Sequence, residues 1–254
     1  MRDVQAEKDI RGKVIHKVGV RKVPALVKFK GERIWAEVSS YVTLPSLERG
    51  AHMSRFIEAQ DSVGQVITDP IAYLQNFLNR LKEVHEAEEV FLKVRVGLPL
   101  YSISPIMALN SVRQIPCELE GRLTPKGYEY FIRVKMHVTT LCPCSKEISD
   151  RGAHNQKARI NVRAQIVDNI DMTTFMNTLS VLGSSPIYEL LKRPDEKFVT
   201  EAAYDNPKFC EDVARDTALA LDEIIMITNY SIVVESFESI HDHAALAIID
   251  NFAF

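Results

Sequence analysis

Two cysteines and a histidine are the clearest candidates for chemistry in this sequence. Cys142 and Cys144 flank a proline in the segment LCPCSKEISDRGAHNQ, and His154 lies near its end. In an extended segment, residues i and i+2 point to the same side, so both thiols could face one cavity. Thiolates and imidazoles bind divalent metals, but a catalytic metal typically has three protein ligands and an open position. The alternative is a pair of small, buried core cysteines.

Carboxylates further along the chain could complete such a site. A carboxylate fits best as the third ligand, because no other Cys or His cluster has suitable spacing. Glu196, in the segment KRPDEK, is one candidate, and the alternative for this residue is a solvated charged loop. Glu211 opens a predicted helix, where it could equally be a first-turn carboxylate that interacts with the helix dipole and with Arg215.

A histidine pair near the end of the chain is the third feature. His241 and His243 flank Asp242, so on an extended segment their imidazoles share a side. Two rings that titrate near neutral pH suit proton transfer, but they could also be metal ligands or the polar end of a strand. Glu238 lies three residues before His241, and strict alternation puts it on the opposite face unless a bulge intervenes.

Basic residues cluster around two copies of the tetrapeptide RGAH, at Arg49–His52 and Arg151–His154. Such clusters can form an anion pocket. The sequence has no P-loop and no G-x-G-x-x-G motif, so a bound nucleotide would be held without them. The candidate anion-binding residues are Arg49 and Arg55 near the first copy, and Lys146, Arg151, Lys157 and Arg159 near the second.

The elements that must position these residues are predicted from hydrophobic periodicity. Strict alternation over the long segment before Cys142 indicates a sheet with one covered face, and Asp69-Pro70 has the cap-then-proline pattern of a helix start. Val20–Lys30 and Arg33–Leu44 are predicted to be two strands joined by the tight turn Lys30-Gly31-Glu32. The further predicted strands are Phe91–Leu98, Gln114–Leu123, Gly127–Leu141, Lys157–Ile166, which also alternates, Ser231–Glu238 and Ala244–Ile249. The predicted helices begin at Asp69-Pro70 or lie near Asp171–Leu182, Ser185–Leu191 and Asn206–Ile225.

Both halves of the chain read as strands, helix and strands, and both carry RGAH. We therefore interpret the sequence as an internal duplication of an antiparallel α+β module, with a boundary within 102–110. Only the second copy has cysteines, so the chemistry is expected in the second half.

Composition limits the class of protein. The chain has 254 residues, 46% hydrophobic and 26% charged, which is ordinary for a soluble globular protein. A formal net charge of −3 argues against broad binding to nucleic acid or anionic membranes. No apolar run is long enough to span a bilayer, and the first residues lack the apolar region of a secretory signal. We therefore expect a cytoplasmic protein with reduced cysteines.

These motifs resemble those of the prokaryotic type IB GTP cyclohydrolase I, a family of the tunnelling-fold superfamily. The resemblance covers essentially the whole chain and is most specific in LCPCSKEIS followed by GAHNQ. It implies an α+β tunnelling fold (T-fold) with two tandem ββααββ-like modules, helices packed on one face of antiparallel sheets. We place the module without metal ligands at residues 1–107 and the module with the metal and catalytic residues at 108–254. Supporting segments are KRPDEK, NPKF and ESFESIHDHAA.

The resemblance also implies an activity, which is conversion of GTP and water to 7,8-dihydroneopterin triphosphate and formate, the first step of tetrahydrofolate biosynthesis. A metal-activated water attacks C8 of the purine, with Mn or Zn as the expected divalent ion and Fe as a further option. The expected partners are GTP and further copies of the chain in a homotetramer with active sites at subunit interfaces, without nucleic acid or membrane. The implied metal ligands are Cys142, His154 and Glu196, and the implied reaction-centre residues are Cys142, Cys144, Glu238, His241 and His243. The resemblance also implies that Glu211 binds the base. From the basic residues around the RGAH copies we assign Arg55, Lys146 and Arg151 to the triphosphate.

Three other functions stay open at this point. An archaeal-type cyclohydrolase would yield a cyclic phosphate with iron. A tunnelling-fold nitrile reductase would use Cys142 or Cys144 as a covalent nucleophile. A metal-binding or thiol-redox module without enzymatic activity would take up metal but have no nucleotide affinity.

Overall fold

The computed structural model describes residues 4, 5 and 7–252, which form nine strands and six helices. The predicted α+β class with an antiparallel sheet is confirmed. In chain order the elements are β1 (Ile15–Phe29), β2 (Glu32–Leu44), α1 (Met53–Ser62), α2 (Pro70–His85), β3 (Val90–Ile103), β4 (Asn110–Thr124), β5 (Gly127–Leu141), α3 (Pro143–Ile148), β6 (Asn155–Ile166), α4 (Met172–Ser180), β7 (Ser185–Pro186), α5 (Arg193–Asp205), α6 (Cys210–Asp222), β8 (Ile227–Ser236) and β9 (Ala245–Asp250). The hydrogen-bonded strand order is β1-β2-β3-β4-β5-β6-β8-β9, and the short β7 pairs with β5.

The described residues group into two compact units, and the strands β3, β4 and β5 each contribute residues to both. Unit 1 comprises the described residues up to Gly97, together with Glu118–Ile132 and Val167–Asn169. Unit 2 comprises Leu98–Cys117, Arg133–Ile166 and the described residues from Ile170 onward.

Unit 1 begins with the predicted hairpin. The turn between β1 and β2 contains Lys30 and Gly31 with φ of 48° and 90°, which is the left-handed region that glycine adopts without strain. Phe29 pairs with Glu32 across this turn, and the ladder continues to Ile15 and Leu44. The predicted hairpin is therefore confirmed.

Helix α2 forms the core of unit 1, as its periodicity predicts. Asp69 caps the helix by accepting the N–H of Ala72 at 2.9 Å, and Pro70 occupies the first turn. Full burial of an aliphatic or aromatic side chain contributes roughly 1.5–3 kcal/mol, so this buried face stabilises the unit substantially. The buried face consists of Tyr73, Leu74, Phe77, Leu78 and Leu81.

Unit 2 contains the antiparallel strands β6, β8 and β9, with helix α6 packed against β8 and β9. The alternation predicted for β6 is confirmed, because Ala158, Ile160 and Val162 are fully buried on one face. Helix α4 starts where Asp171 accepts the N–H of Thr174 at 3.3 Å. The buried face of β6 continues at the start of the strand with Gln156, two residues after His154.

One helix prediction was wrong. The segment predicted as Ser185–Leu191 contains the short strand β7, in which Ser185 pairs with Thr139 of β5. Ser184 reinforces this pairing, because its N–H donates to the Thr139 carbonyl at 2.7 Å and its hydroxyl accepts the N–H of Leu141 at 3.0 Å. These long-range bonds override the local cap-then-proline signal.

The start of the next predicted helix was also misplaced. Asn206-Pro207 does not begin α6; instead the N–H of Asn206 bonds to the Ala202 carbonyl and ends α5. The N–H of Lys208 then donates to the carbonyl of Leu141 at 3.1 Å, which ties this connection to the end of β5. The helices α1, α3 and α5 had not been predicted.

Membrane-spanning segments were sought among the helices of the described chain. No helix there combines the length and the apolar character needed to cross a bilayer.

Candidate active site

The segment that carries the two cysteines lies directly after β5. Cys142 is the cap of the short helix α3, and its sulfur accepts the N–H of Ser145 at 3.4 Å. Because Pro143 already belongs to this helix, Cys142 and Cys144 are not i and i+2 of an extended strand, and the expected shared side does not follow. Cys142 is half-buried and Cys144 is exposed. All four cysteines of the chain are free thiols.

Backbone and hydroxyl hydrogen bonds join His154 to Cys142. The N–H of Cys142 donates to the His154 carbonyl at 3.1 Å. The Ser145 hydroxyl bridges the same two residues, since it donates to the Cys142 carbonyl at 3.1 Å and accepts the N–H of His154 at 3.2 Å. We name Cys142, Ser145 and His154 the thiol–imidazole unit. It holds a sulfur and an imidazole on one hydrogen-bonded frame between β5 and β6.

The His154 ring contacts a polar network at the ends of three strands. Its Nδ1 lies 2.9 Å from Oε1 of Gln156 and 3.9 Å from Oε2 of Glu238. The amide nitrogen of Gln156 lies 3.3 Å from the hydroxyls of Thr140 and Ser236 and 3.4 Å from Oε1 of Glu238. The side chains of His154 and Glu238 are each 14% exposed, so this network is largely shielded from water.

The predicted base-binding carboxylate lies at the start of α6. Glu211 is exposed, and its Oε2 accepts the thiol proton of Cys210 at 3.2 Å. Its own backbone N–H and then this thiol lower the pKa of Glu211. Burial, followed by Glu211, raises the pKa of Cys210 to about 12, and the charge of Glu238 contributes to the same shift.

The connection before α6 fixes its position relative to the thiol–imidazole unit. The Asn206 amide donates to the carbonyls of Gly183 and Ser184, both at 3.2 Å. The backbone hydrogen bond between Lys208 and Leu141 joins the two segments. Glu211 follows Lys208 closely in the chain, and Cys142 directly follows Leu141.

Glu196 lies in the first turn of α5 and is exposed. The preceding residue, Asp195, is fully buried and accepts the N–H groups of Ile106 and Met107 at 2.8 and 2.9 Å and that of Lys192 at 3.1 Å. Burial raises the pKa of Asp195, but these hydrogen bonds outweigh it, so the pKa lies below its ordinary value. Asp195 thus fixes the turn that presents Glu196.

Within residues 4, 5 and 7–252, no hydrogen bond or ion pair joins Glu196 to Cys142 or His154. Over the same residues, no three His, Cys, Asp or Glu side chains converge closely enough to hold a metal ion. Two of the three predicted ligands therefore share one hydrogen-bonded frame, and the role of Glu196 stays a prediction.

The predicted histidine pair lies in the loop between β8 and β9, not in a strand. The rings of His241 and His243 nevertheless stack, with centroids 5.0 Å apart and planes inclined by 13°. Both side chains are exposed, and their catalytic role stays a prediction.

The predicted triphosphate-binding residues have different surroundings. Lys146 donates to the carbonyl of Tyr204 at 2.6 Å and lies over its ring at 4.3 Å, at the end of α5. Arg151 is exposed in the turn before His154. Arg55 belongs to unit 1, where it donates to the carbonyl of Val84 at 3.0 Å.

Several residues of this site were missed from the sequence. Ser145, Gln156, Thr140 and Ser236 carry the hydrogen bonds that organise the thiol–imidazole unit and its surroundings. A usable signal existed, because Thr140, Gln156 and Ser236 continue the buried apolar faces of β5, β6 and β8 as polar residues at the strand ends. A polar residue at a position where alternation predicts an apolar one indicates a buried hydrogen bond.

Comparison with known proteins assigns the chain to a family. A model of the type I GTP cyclohydrolase FolE2 family matches residues 1–247. The chain is 42% identical to "GTP cyclohydrolase FolE2" of Thermotoga maritima over 98% of its length and 97% of the relative. It is 38% identical to the protein of the same name from Geobacter sulfurreducens, with 98% of each covered. A solved structure, uricase from Arthrobacter globiformis, matches with a TM-score of 0.48 at 8% identity, covering 100% of this chain and 97% of the uricase. From the family model and these relatives, the chain belongs to the type I GTP cyclohydrolase FolE2 family.

Proposed function

We propose that this protein is a GTP cyclohydrolase I that converts GTP and water to 7,8-dihydroneopterin triphosphate and formate, the entry to tetrahydrofolate biosynthesis. Family membership supports the activity. The observation that carries the site assignment is the thiol–imidazole unit, with Glu238 3.9 Å from the ring of its histidine.

The donor chemistry of this unit fits a divalent transition metal. The sulfur of Cys142 and the imidazole of His154 suit Zn or Fe, and the carboxylate of Glu196, the proposed third ligand, also suits Mn. Among the described residues, Nε2 of His154 makes no hydrogen bond, which leaves its lone pair available to bind a metal ion. When bound, such an ion supplies Lewis acidity that lowers the pKa of a coordinated water toward 7.

Glu211 is proposed to bind the guanine base. A carboxylate can accept two parallel hydrogen bonds, from the N1–H and the 2-amino group of guanine, whereas adenine lacks this pair of donors. The thiol of Cys210 and the backbone lower the pKa of Glu211, and this keeps the carboxylate ionised as an acceptor. Its exposure at the start of α6 leaves it accessible to substrate.

Proton transfers are proposed for residues close to the reacting carbon. Opening of the imidazole ring, release of formate and closure of the pterin ring each require protons to move. Glu238, His241 and His243 are proposed as acid and base partners, and Cys144 is proposed as a further residue of the reaction centre. Arg55, Lys146 and Arg151 are proposed to bind the triphosphate through charge-assisted hydrogen bonds.

The remaining parts of the proposal concern assembly. We propose tandem T-fold modules, a homotetramer with active sites at subunit interfaces, and a cytoplasmic location. The element order β1-β2-α1-α2-β3-β4 followed by β5-β6, helices and β8-β9 supports two ββααββ modules. The predicted division between residues 107 and 108 falls between β3 and β4 and stays a prediction.

The test is incubation with GTP in the presence of Mn²⁺, Zn²⁺ or Fe²⁺, with formate assayed directly and the pterin detected by fluorescence after oxidation. We expect formate and pterin in equal amounts from the wild-type protein and neither from Cys142→Ala. Cys117→Ala is the matched control, because Cys117 is buried beside Met176, outside the thiol–imidazole unit. Intact GTP under every metal would contradict the proposed activity, and a cyclic phosphate product would indicate a different cyclohydrolase.

A further inference from the structure

The side-chain amide of Gln156 hydrogen-bonds to both His154 and Glu238. Its Oε1 lies 2.9 Å from Nδ1 of His154, and its Nε2 lies 3.4 Å from Oε1 of Glu238. The hydroxyls of Thr140 and Ser236 lie 3.3 Å from the same nitrogen and 3.1 Å from each other. Both hydroxyl-bearing residues are 1% exposed, so the amide is held inside a closed polar network.

The network determines which way the amide faces. A hydroxyl can donate or accept, so Thr140 and Ser236 alone would tolerate either orientation of the amide. A carboxylate can only accept, so the group of Gln156 that faces Glu238 has to be the N–H₂ donor. The opposite end, the carbonyl Oε1, then faces His154 and can only accept.

The orientation of the amide in turn determines the tautomer of the histidine. A neutral imidazole carries one proton, on Nδ1 or on Nε2. Because the Gln156 carbonyl accepts at Nδ1, the proton lies there, and Nε2 keeps its lone pair. We propose that Gln156 is a positioning residue. Its N–H₂ group donates to Glu238, its carbonyl therefore accepts from Nδ1 of His154, and Nε2 of His154 is left as the atom that binds a ligand.

This inference rests on the proposed function only for the identity of the ligand, a divalent metal ion. The tautomer itself is a property of the metal-free chain. A hydrogen bond to the non-ligating nitrogen fixes the ring orientation and raises the basicity of the ligating one, and loss of such a partner typically costs 10–100-fold in metal affinity. Gln156 would also couple the ring to Glu238, so that a single amide aligns a ligand and a proton-transfer residue.

The first experiment determines the tautomer by long-range ¹⁵N–¹H correlation NMR of metal-free protein labelled at histidine, at a pH well above the ordinary histidine pKa of about 6.5. The His154 signal is assigned by its loss in His154→Gln. We expect the Nδ1–H tautomer in the wild-type protein and a shift toward Nε2–H in Gln156→Met, which keeps the length of the side chain but has no amide. Gln165→Met is the matched control, because Gln165 lies on the same strand and bonds to Asn229 instead, at 3.0 Å.

The second experiment measures metal binding without reference to turnover. Co²⁺ is titrated into the metal-free proteins, and its thiolate charge-transfer and ligand-field absorption are followed in competition with a chelator. We expect Gln156→Met to bind Co²⁺ roughly 10–100-fold more weakly than the wild-type protein, and Gln165→Met to bind it equally well. Glu238→Gln is a second variant, which removes the acceptor-only group, and we expect a mixture of His154 tautomers in it.

The outcomes separate this inference from the proposed function. An Nε2–H tautomer in the wild-type protein, or an unchanged tautomer and Co²⁺ affinity in Gln156→Met, would overturn the positioning role. If Gln156→Met does not fold, an unchanged His154 tautomer in Glu238→Gln would likewise overturn the positioning role. If the tautomer shifts as expected but the wild-type protein neither binds metal nor releases formate, the positioning role stands and the proposed function fails.

Discussion

The hydroxyl pair of Thr140 and Ser236 allows the hydrogen-bond network to be tested quantitatively. Both residues are 1% exposed, and their oxygens lie 3.1 Å apart and 3.3 Å from the Gln156 amide nitrogen. Thr140→Val is isosteric and Ser236→Ala is nearly so, so each removes a hydroxyl with little change in packing. Each hydroxyl makes two polar contacts in the network, and the double substitution removes three contacts rather than four, because the contact between the two hydroxyls is shared.

The magnitudes follow from the usual value of a neutral hydrogen bond, roughly 1 kcal/mol net. We expect each single variant to lose about 2 kcal/mol of unfolding free energy and the double variant about 3 kcal/mol. The coupling free energy is then about 1 kcal/mol. For a chain of this size, about 2 kcal/mol corresponds to a decrease in Tm of roughly 4–8 °C.

The assay is thermal and urea unfolding of the four metal-free proteins of this cycle. Ser180→Ala serves as a control in combination with Thr140→Val, because the Ser180 hydroxyl donates to the Asn177 carbonyl within α4 and shares no partner with the network. That pair is expected to be additive within about 0.5 kcal/mol. A coupling between Thr140 and Ser236 that is no larger than the control's, below about 0.5 kcal/mol, would refute the shared network.

Three further predictions concern other parts of the chain. Burial first, and then nearby positive charges, lower the pKa of His85 to about 4. As the pH drops, the unfolded chain therefore binds a proton at this histidine before the folded chain does, and the free energy of unfolding should fall between about pH 6.5 and about pH 4. His85→Gln should weaken this dependence when Tm is measured against pH. Cys210→Ala removes the thiol that donates a hydrogen bond to Glu211. Steady-state kinetics should show a roughly three- to tenfold higher KM for GTP, equivalent to about 1 kcal/mol, and a smaller change in kcat. A Cβ at Gly183 would lie 2.6 Å from the Thr139 carbonyl oxygen, so Gly183→Ala should lower the free energy of unfolding by about 1–3 kcal/mol in urea titrations.

Elements with a long, regular pattern were predictable from the sequence. The alternation in β5 and β6 and the capped, periodic helix α2 each reflect burial of one face, which local sequence encodes directly. The turn at Lys30-Gly31 was equally clear, because its conformation requires a residue that tolerates positive φ.

Elements determined by distant partners were not predictable. Ser185 is part of a strand because Thr139 pairs with it, and α6 starts late because Lys208 bonds to Leu141. In both places the local cap-then-proline pattern is overruled by hydrogen bonds to β5, a strand more than 40 residues earlier. No local pattern contains that information.

The candidate site shows the same division. The motif containing Cys142 and His154 indicated a metal-binding pair, and the structure joins their backbones directly. The amide of Gln156 acquires its role only where the ends of β5, β6 and β8 meet, so its importance depends on strand alignment. Glu196 lies on another element, and its relation to the pair depends on how the chain is assembled.

The most direct test of the central claim is anomalous diffraction from crystals of the assembled protein loaded with Mn²⁺ or Zn²⁺. We expect one ion for each thiol–imidazole unit, bound by the sulfur of Cys142, Nε2 of His154 and the carboxylate of Glu196, with zinc–sulfur and zinc–nitrogen distances of about 2.3 and 2.0–2.1 Å. An ion bound elsewhere, or coordinated through Nδ1 of His154, or an assembled oligomer in which Glu196 lies out of reach of Cys142 and His154, would contradict this claim.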